Sequence, residues 1–253
     1  MSEQNGKQGR DDRTLRRGTS APADARARGD GGAAAPKNAQ KCRGWVQKPP
    51  VRLTAPLTKE ACAGLRAGDA VLLSGTIYTA RDAAHKRLCE LAARGEPLPF
   101  PMENAVIYYA GPTPARPGEV IGSAGPTTSY RMDAYAPTLL RMGLLGMIGK
   151  GARSSEVAEA MRAAGGVYFA ALGGAGALMA SCVQQAVLVC WEDLGSEAVR
   201  RLTVRDMPLT VVLDTVGGDL YASGPAAYRR AQELRGAAPN TAEDAARGPA
   251  PEK

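Results

Sequence analysis

Thr127, Thr128, Ser129 and Arg131 fall within five residues of one another, inside the stretch IGSAGPTTSYRMD from Ile121 to Asp133. Gly122, Gly125 and Pro126 disfavour a regular helix or a central strand there, which predicts a tight loop. Three hydroxyls can donate or accept a proton, and the planar guanidinium of Arg131 suits a carboxylate or a phosphate. The same residues also fit a plain capped loop, because hydroxyl side chains after Gly-Pro often start a helix. Arg131 would then lie on its exposed face.

Two further cations stand in comparable surroundings. Arg81, in YTARDAAHKR, follows Thr79, which is expected to cap a helix running to about Ala93. Arg81 would then sit in the first turn, beside unpaired N–H groups where an anion is favoured, or else face solvent. Lys150, in MIGKG, lies between two glycines that permit close backbone approach. It is not a P-loop lysine: Leu144 stands where the first glycine is needed, and Gly151 where Ser or Thr is needed. The single histidine, His85, is four residues after Arg81 and shares its helix face, with a structural hydrogen bond as the expected role. Asp82, Tyr130 and Asp133 are expected to orient the arginines.

The five cysteines, Cys42, Cys62, Cys89, Cys182 and Cys190, form no C-x-x-C pair, so neither a zinc site nor a disulfide framework is expected. Such scattered thiols suit a cytoplasmic chain. The net charge of +7 comes almost wholly from residues 1–50, which hold eleven basic and five acidic residues. This segment lacks apolar periodicity, so 1–48 reads as a disordered basic tail and 236–253 as a second one. A basic tail can touch nucleic acid, but the lack of interleaved aromatics argues against that as the main role. Residues 165–191 carry no charge, yet Gln184, Gln185 and the glycines 173, 174 and 176 favour a buried strand, helix and second strand over a membrane span.

The folded part is expected over 51–235. Apolar runs predict strands at Asp69–Leu73, Ala105–Ala110, Gly166–Ala171, Ala186–Trp191 and Leu209–Asp214. Helices are predicted near Thr58–Leu65, Thr79–Ala93, Pro137–Leu145 and Ser154–Ala164, from Gly176 to about Gln185, and over Ala226–Leu234. Ser196–Leu202 reads as a short helix or turn. Strands and helices alternate, which gives an α/β class, but too irregularly for a doubly wound sheet.

Taken together, SGTIYTARDAAHKR, IYYAGPTPA, GPTTSYRMD and IGKG, followed by VYFAALGGAGAL, EDLGSEAV and DLY, resemble one family across roughly residues 54–232. It is that of class I iron–sulfur fumarate hydratases, in their C-terminal domain or β subunit, and of the related L(+)-tartrate dehydratase β subunits. The resemblance implies a single swivelling β/β/α-type domain of a hydro-lyase. It implies a partner α subunit that holds a [4Fe–4S] cluster, whose open iron acts as a Lewis acid, in a heterodimer or an α2β2 assembly. It implies a dicarboxylate substrate bound by Arg81 and Arg131, with Lys150 as a further cation. Thr127 is implied as the catalytic base, with Thr128 as the neighbour that could be confused with it. Fumarate and tartrate are left open.

Overall fold

Apolar residues on both faces of short strands dictate a sheet covered on both sides. The computed structural model describes residues 49–236. Of the segments read as tails, 1–48 and 236–253, all but Gly236, which ends a helix, lie outside the described residues. Seven strands form: β1 (Val51–Ala55), β2 (Ala70–Thr79), β3 (Val106–Tyr108), β4 (Gly146–Gly149), β5 (Val167–Ala170), β6 (Val183–Cys190) and β7 (Val199–Leu213). Their order is β1-β2-β3-β4-β5-β7-β6, with an additional β2–β7 pairing. That pairing closes β2, β3, β4, β5 and β7 into a ring, with β1 and β6 attached at its sides. β1 to β5 run parallel, and β7 runs antiparallel to β2, β5 and β6. The mixed α/β domain is what the alternation and the resemblance led one to expect; the closure of its sheet is added by the β2–β7 pairing.

Successive strand residues point to opposite faces. Tyr108, Ile148 and Phe169 join one buried cluster with Leu73, Ile77, Leu202 and Val211. Their neighbours Ile107, Met147 and Tyr168 join a second cluster on the other face. There they meet Ala84 and Leu88 of α2 (Asp82–Ala93), Leu139 and Leu140 of α3 (Ala136–Arg141), and Val157 and Met161 of α4 (Ser155–Ala164). Each such buried Leu, Ile or Met contributes about 2 kcal/mol relative to exposure. α1 (Lys59–Ala63), α5 (Gly176–Ser181) and α6 (Leu220–Gly236) complete the elements.

Four expectations are corrected. β2 does not end at Leu73. It continues to Thr79 past a bulge in which Arg205 and Asp206 of β7 stand opposite Ser74, and through Gly75, whose φ of +104° and tight approach to the Ala55 backbone only glycine tolerates. Of Ser196–Leu202, read as a short helix or turn, only Ser196 and Glu197 are helical, at the end of a 3-10 segment Glu192–Glu197: β7 starts at Val199, and Thr79 Oγ1 accepts a bond from Arg200 N at 3.0 Å. α5 stops at Ser181, and Gln184 and Gln185 lie exposed on β6. α6 begins at Leu220 rather than Ala226, because Asp219 Oδ1 accepts from the N–H groups of Tyr221 (2.8 Å) and Ala222 (3.3 Å) and so starts the helix earlier. No helix among the described residues is long and apolar enough to cross a membrane.

Candidate active site

Arg81, Thr127, Thr128 and Lys150 all lie beside the C-terminal ends of the parallel strands β2, β3 and β4. Arg81 follows β2 by two residues. Its backbone is extended (φ −119°, ψ −163°), so it occupies the N-cap position of α2 itself and Thr79 does not. The side chain offers no cap. Glu197 does so instead: its Oε2 accepts from Ala83 N at 3.1 Å, while its Oε1 stands 3.3 Å from Arg81 Nη2. On its other side Arg81 lies against Gly111, where a Cβ would come within 2.6 Å of Nη1. The guanidinium is thus seated between a carboxylate and a bare backbone, with one-fifth of its side chain exposed.

The loop after β3 returns to the same edge. Thr127 N donates to Tyr109 O at 2.6 Å, and Thr128 forms an isolated parallel bridge with Lys150. Neither threonine hydroxyl has a partner among the described residues. The chain then makes a 3-10 turn, Ser129–Met132, which carries Arg131. Arg131 Nη1 lies 3.6 Å from Asp82 Oδ2, on the residue next to Arg81. Arg131 is half exposed (48%), so this pair is screened and worth little in stability. Lys150 directly follows β4 and is partly buried; Gly173, beyond β5, stands alongside its chain, 3.9 Å from Cδ to where a glycine Cβ would be. The four residues singled out from the sequence therefore stand on adjoining segments of one edge.

Of the three residues expected to orient the arginines, Asp82 does so for Arg131. Asp133 instead pairs with Arg153, at 2.7 Å, and Tyr130 is largely exposed. Arg153 was missed in the sequence. Its side chain is fully buried between the rings of Tyr109 (5.4 Å) and Tyr168 (5.2 Å), a cation–π arrangement beneath the candidate site. His85 is also fully buried. Its Nδ1 is 2.9 Å from Arg81 O, an atom that only accepts, so Nδ1 carries the proton. Burial pushes its pKa down to about 4; the Arg81 carbonyl opposes this and the Arg153 charge adds to it. His85 is therefore neutral and holds the backbone of Arg81, in keeping with the structural role expected.

No three His, Cys, Asp or Glu side chains among the described residues gather into a group that could hold a metal. Cys62, Cys89, Cys182 and Cys190 are separate free thiols, and burial raises the pKa of each. The described residues thus do not fit an iron–sulfur cluster. A cleft of about 460 Å³ lies between the 113–123 loop and α5, lined by Thr113, Glu119, Ser123 and Ser181.

A family model described as "Fumarase C-terminus" matches residues 25–224, beginning inside the segment read as a tail. The chain is 40% identical over 157 residues to Fumarate hydratase 2 of Leishmania major, covering 61% of this chain and 28% of that protein. It is 38% identical over 151 residues to the aerobic class I fumarate hydratase of Escherichia coli (strain K12), covering 59% of this chain and 28% of that protein. A Methanocaldococcus jannaschii protein carrying the provisional name L(+)-tartrate dehydratase subunit beta is 37% identical over 187 residues, covering 71% of this chain and 96% of that one. The chain thus spans little more than a quarter of the fumarate hydratases it matches, but nearly the whole of the subunit. With more than half of its length matched by the model, and with an archaeal subunit matched almost end to end, this chain belongs to the Fumarase C-terminus family.

Proposed function

We propose that this chain is the β subunit of an iron–sulfur hydro-lyase that reversibly hydrates fumarate to L-malate. In this reading Arg81 and Arg131 bind the substrate carboxylates, because a guanidinium matches a carboxylate through two parallel hydrogen bonds. Thr127 moves the proton next to a carboxylate, with Thr128 as the alternative group one residue on. Loss of that proton spreads charge onto the carboxylate, and fixed cations such as Arg131 and Lys150 stabilise it. A threonine hydroxyl is a weak base, so its use requires those neighbouring positive charges. The [4Fe–4S] cluster is assigned to a partner α subunit, and no step here is routed through it.

The observation that carries the reading is the placement of Asp82. It pairs with Arg131 while standing next to Arg81 in the chain, so two cations from distant segments share one edge. A second reading, dehydration of L(+)-tartrate to oxaloacetate, is favoured by one fact: the match to the subunit of that name covers 96% of its length. The test is co-expression with an α subunit, then anaerobic assay on fumarate, malate and both tartrates. Turnover of fumarate is expected, and Thr127→Val is expected to lower kcat by about 100-fold or more, the share of a general base. Wild-type kcat in Thr127→Val together with Thr128→Val refutes the assignment of the base. Turnover of tartrate alone selects the second reading.

A further inference from the structure

The backbone of the Lys150–Gly151 turn has four polar groups, and each is held. Lys150 N donates to Ser129 Oγ at 3.1 Å, and Ser129 N donates to Lys150 O at 2.9 Å. Gly151 O accepts from Tyr168 Oη at 2.8 Å, and Gly151 N donates to Tyr221 Oη at 2.8 Å. The directions are fixed by proton counting. A tyrosine hydroxyl has one proton, and that of Tyr168 is committed to Gly151 O. The 2.9 Å contact between Ser129 Oγ and Tyr168 Oη therefore has Ser129 as donor. A chain of bonds thus leaves Lys150 N, passes through Ser129 and Tyr168, and returns to the next residue's carbonyl. Ser129 is fully buried, and linked hydrogen bonds of this kind strengthen one another away from water.

Tyr221 is the informative member. It projects from the first turn of α6, a helix with mostly exposed residues, and is itself 41% exposed. Its hydroxyl and the Gly151 N–H could each bond water instead, so their mutual bond adds little to global stability. What the bond does is hold the peptide plane between Lys150 and Gly151. Gly151 has φ +84°, so the turn uses a backbone state that glycine leaves otherwise unconstrained.

We infer that Tyr221 and Tyr168 are positioning residues for Lys150, clamping both backbone groups of Gly151 so that the amine is held toward the substrate. This rests on the proposed reading of Lys150 as a substrate-facing cation. The test uses the full chain with its partner subunit for kinetics, and the full chain for amide hydrogen exchange. Tyr221→Phe is expected to speed exchange of the Gly151 amide about tenfold, with the melting temperature unchanged, because only a locally solvated bond is lost. It is expected to lower kcat and kcat/KM together by about tenfold, the pattern of an interaction realised in the transition state. Tyr168→Phe should lower kcat likewise, but with a measurable loss of stability, because Tyr168 is buried.

Lys150→Met separates the two levels of the argument. If Lys150→Met is impaired while Tyr221→Phe has wild-type kinetics, or leaves Gly151 exchange unchanged, the positioning role is overturned and the reading of Lys150 stands. If Lys150→Met retains full turnover, the reading of Lys150 fails and the positioning role falls with it. Combining Tyr221→Phe with Lys150→Met should add no further loss, because Tyr221 acts through the amine. An additive loss overturns the inference.

Discussion

Gly149→Ala should disrupt the edge of the sheet through a single atom. Gly149 ends β4, and a Cβ there would overlap Ser129 Oγ and stand 2.9 Å from Tyr109 Cδ2. Neither neighbour can give way freely. Ser129 Oγ is pinned by Lys150 N and Tyr168 Oη, and the Tyr109 ring is fully buried between His85 and Arg153. Overpacking a core position costs about 1–3 kcal/mol, and the two bonds of Ser129 are worth about 1 kcal/mol each. The sum is about 3 kcal/mol or more, which at about 2–4 °C per kcal/mol lowers the melting temperature by roughly 10 °C. Circular dichroism melts would measure it. The sharper assay is the sign of Ser129→Ala in two backgrounds. In the wild type it should destabilise, because two bonds are lost. In the Gly149→Ala background it should stabilise, because the clashing oxygen is gone. A melting temperature for Gly149→Ala within about 2 °C of wild type, less than the shift of a single kcal/mol, refutes the reasoning. So does destabilisation by Ser129→Ala in both backgrounds.

Two more outcomes follow from the buried charges beneath the site. Asp133→Ala leaves the guanidinium of Arg153 buried without its carboxylate and removes the acceptor of Ser154 N (2.8 Å), so urea unfolding should show a loss of about 3–5 kcal/mol. Arg153→Met in that background should recover part of it, by removing the stranded charge. The buried ring of His85 makes stability fall with acid. Its folded pKa is about 4 against 6.5, so between those values the unfolded chain binds a proton that the folded one refuses. Stability from this source is fully present above about pH 6.5 and is lost toward pH 4, by about 3 kcal/mol. Urea midpoints for His85→Gln should depend less on pH across that window than those of the wild type.

The sequence revealed elements where a local rule was sufficient. Ser154 caps α4 and Gly165 ends it in the left-handed conformation, as a hydroxyl before and a glycine after an apolar stripe require. AVIYYA and GVYFAA read as buried strands because both of their faces are covered. What was hidden depends on distant partners. β7 pairs with β2 along one side, and with β6 and then β5 along the other; its alternation breaks at the Arg205–Asp206 bulge, and it opens with the charged pair Arg200–Arg201. Gly75 looked like a stop and lies inside β2, opposite the bulge of β7. In the site, Arg81, Thr127, Arg131 and Lys150 were legible from motif. Arg153 was not, because nothing in GARSSE distinguishes a buried arginine from a solvated one. Glu197 and Tyr221 were quoted only within likenesses, and their contacts with Arg81 and Gly151 span 116 and 70 residues.

The openness of the edge bears on how it can work. Arg131 is half exposed, and Tyr130 and Leu172 are 64% and 68% exposed. In water a cation about 4 Å from a carboxylate gains about 1 kcal/mol, against about 4 kcal/mol where the effective dielectric constant falls to about 20. The cations on this chain are thus placed well and screened badly. Covering the edge with a second apolar and polar surface would multiply the effect of charges that already stand beside Asp82 and Glu197 and on the turn at Gly151. In the proposed two-subunit enzyme the partner therefore contributes more than its cluster. By excluding water, such a partner would strengthen the pull of Arg81, Arg131 and Lys150 on the charge that develops when a proton leaves beside a carboxylate.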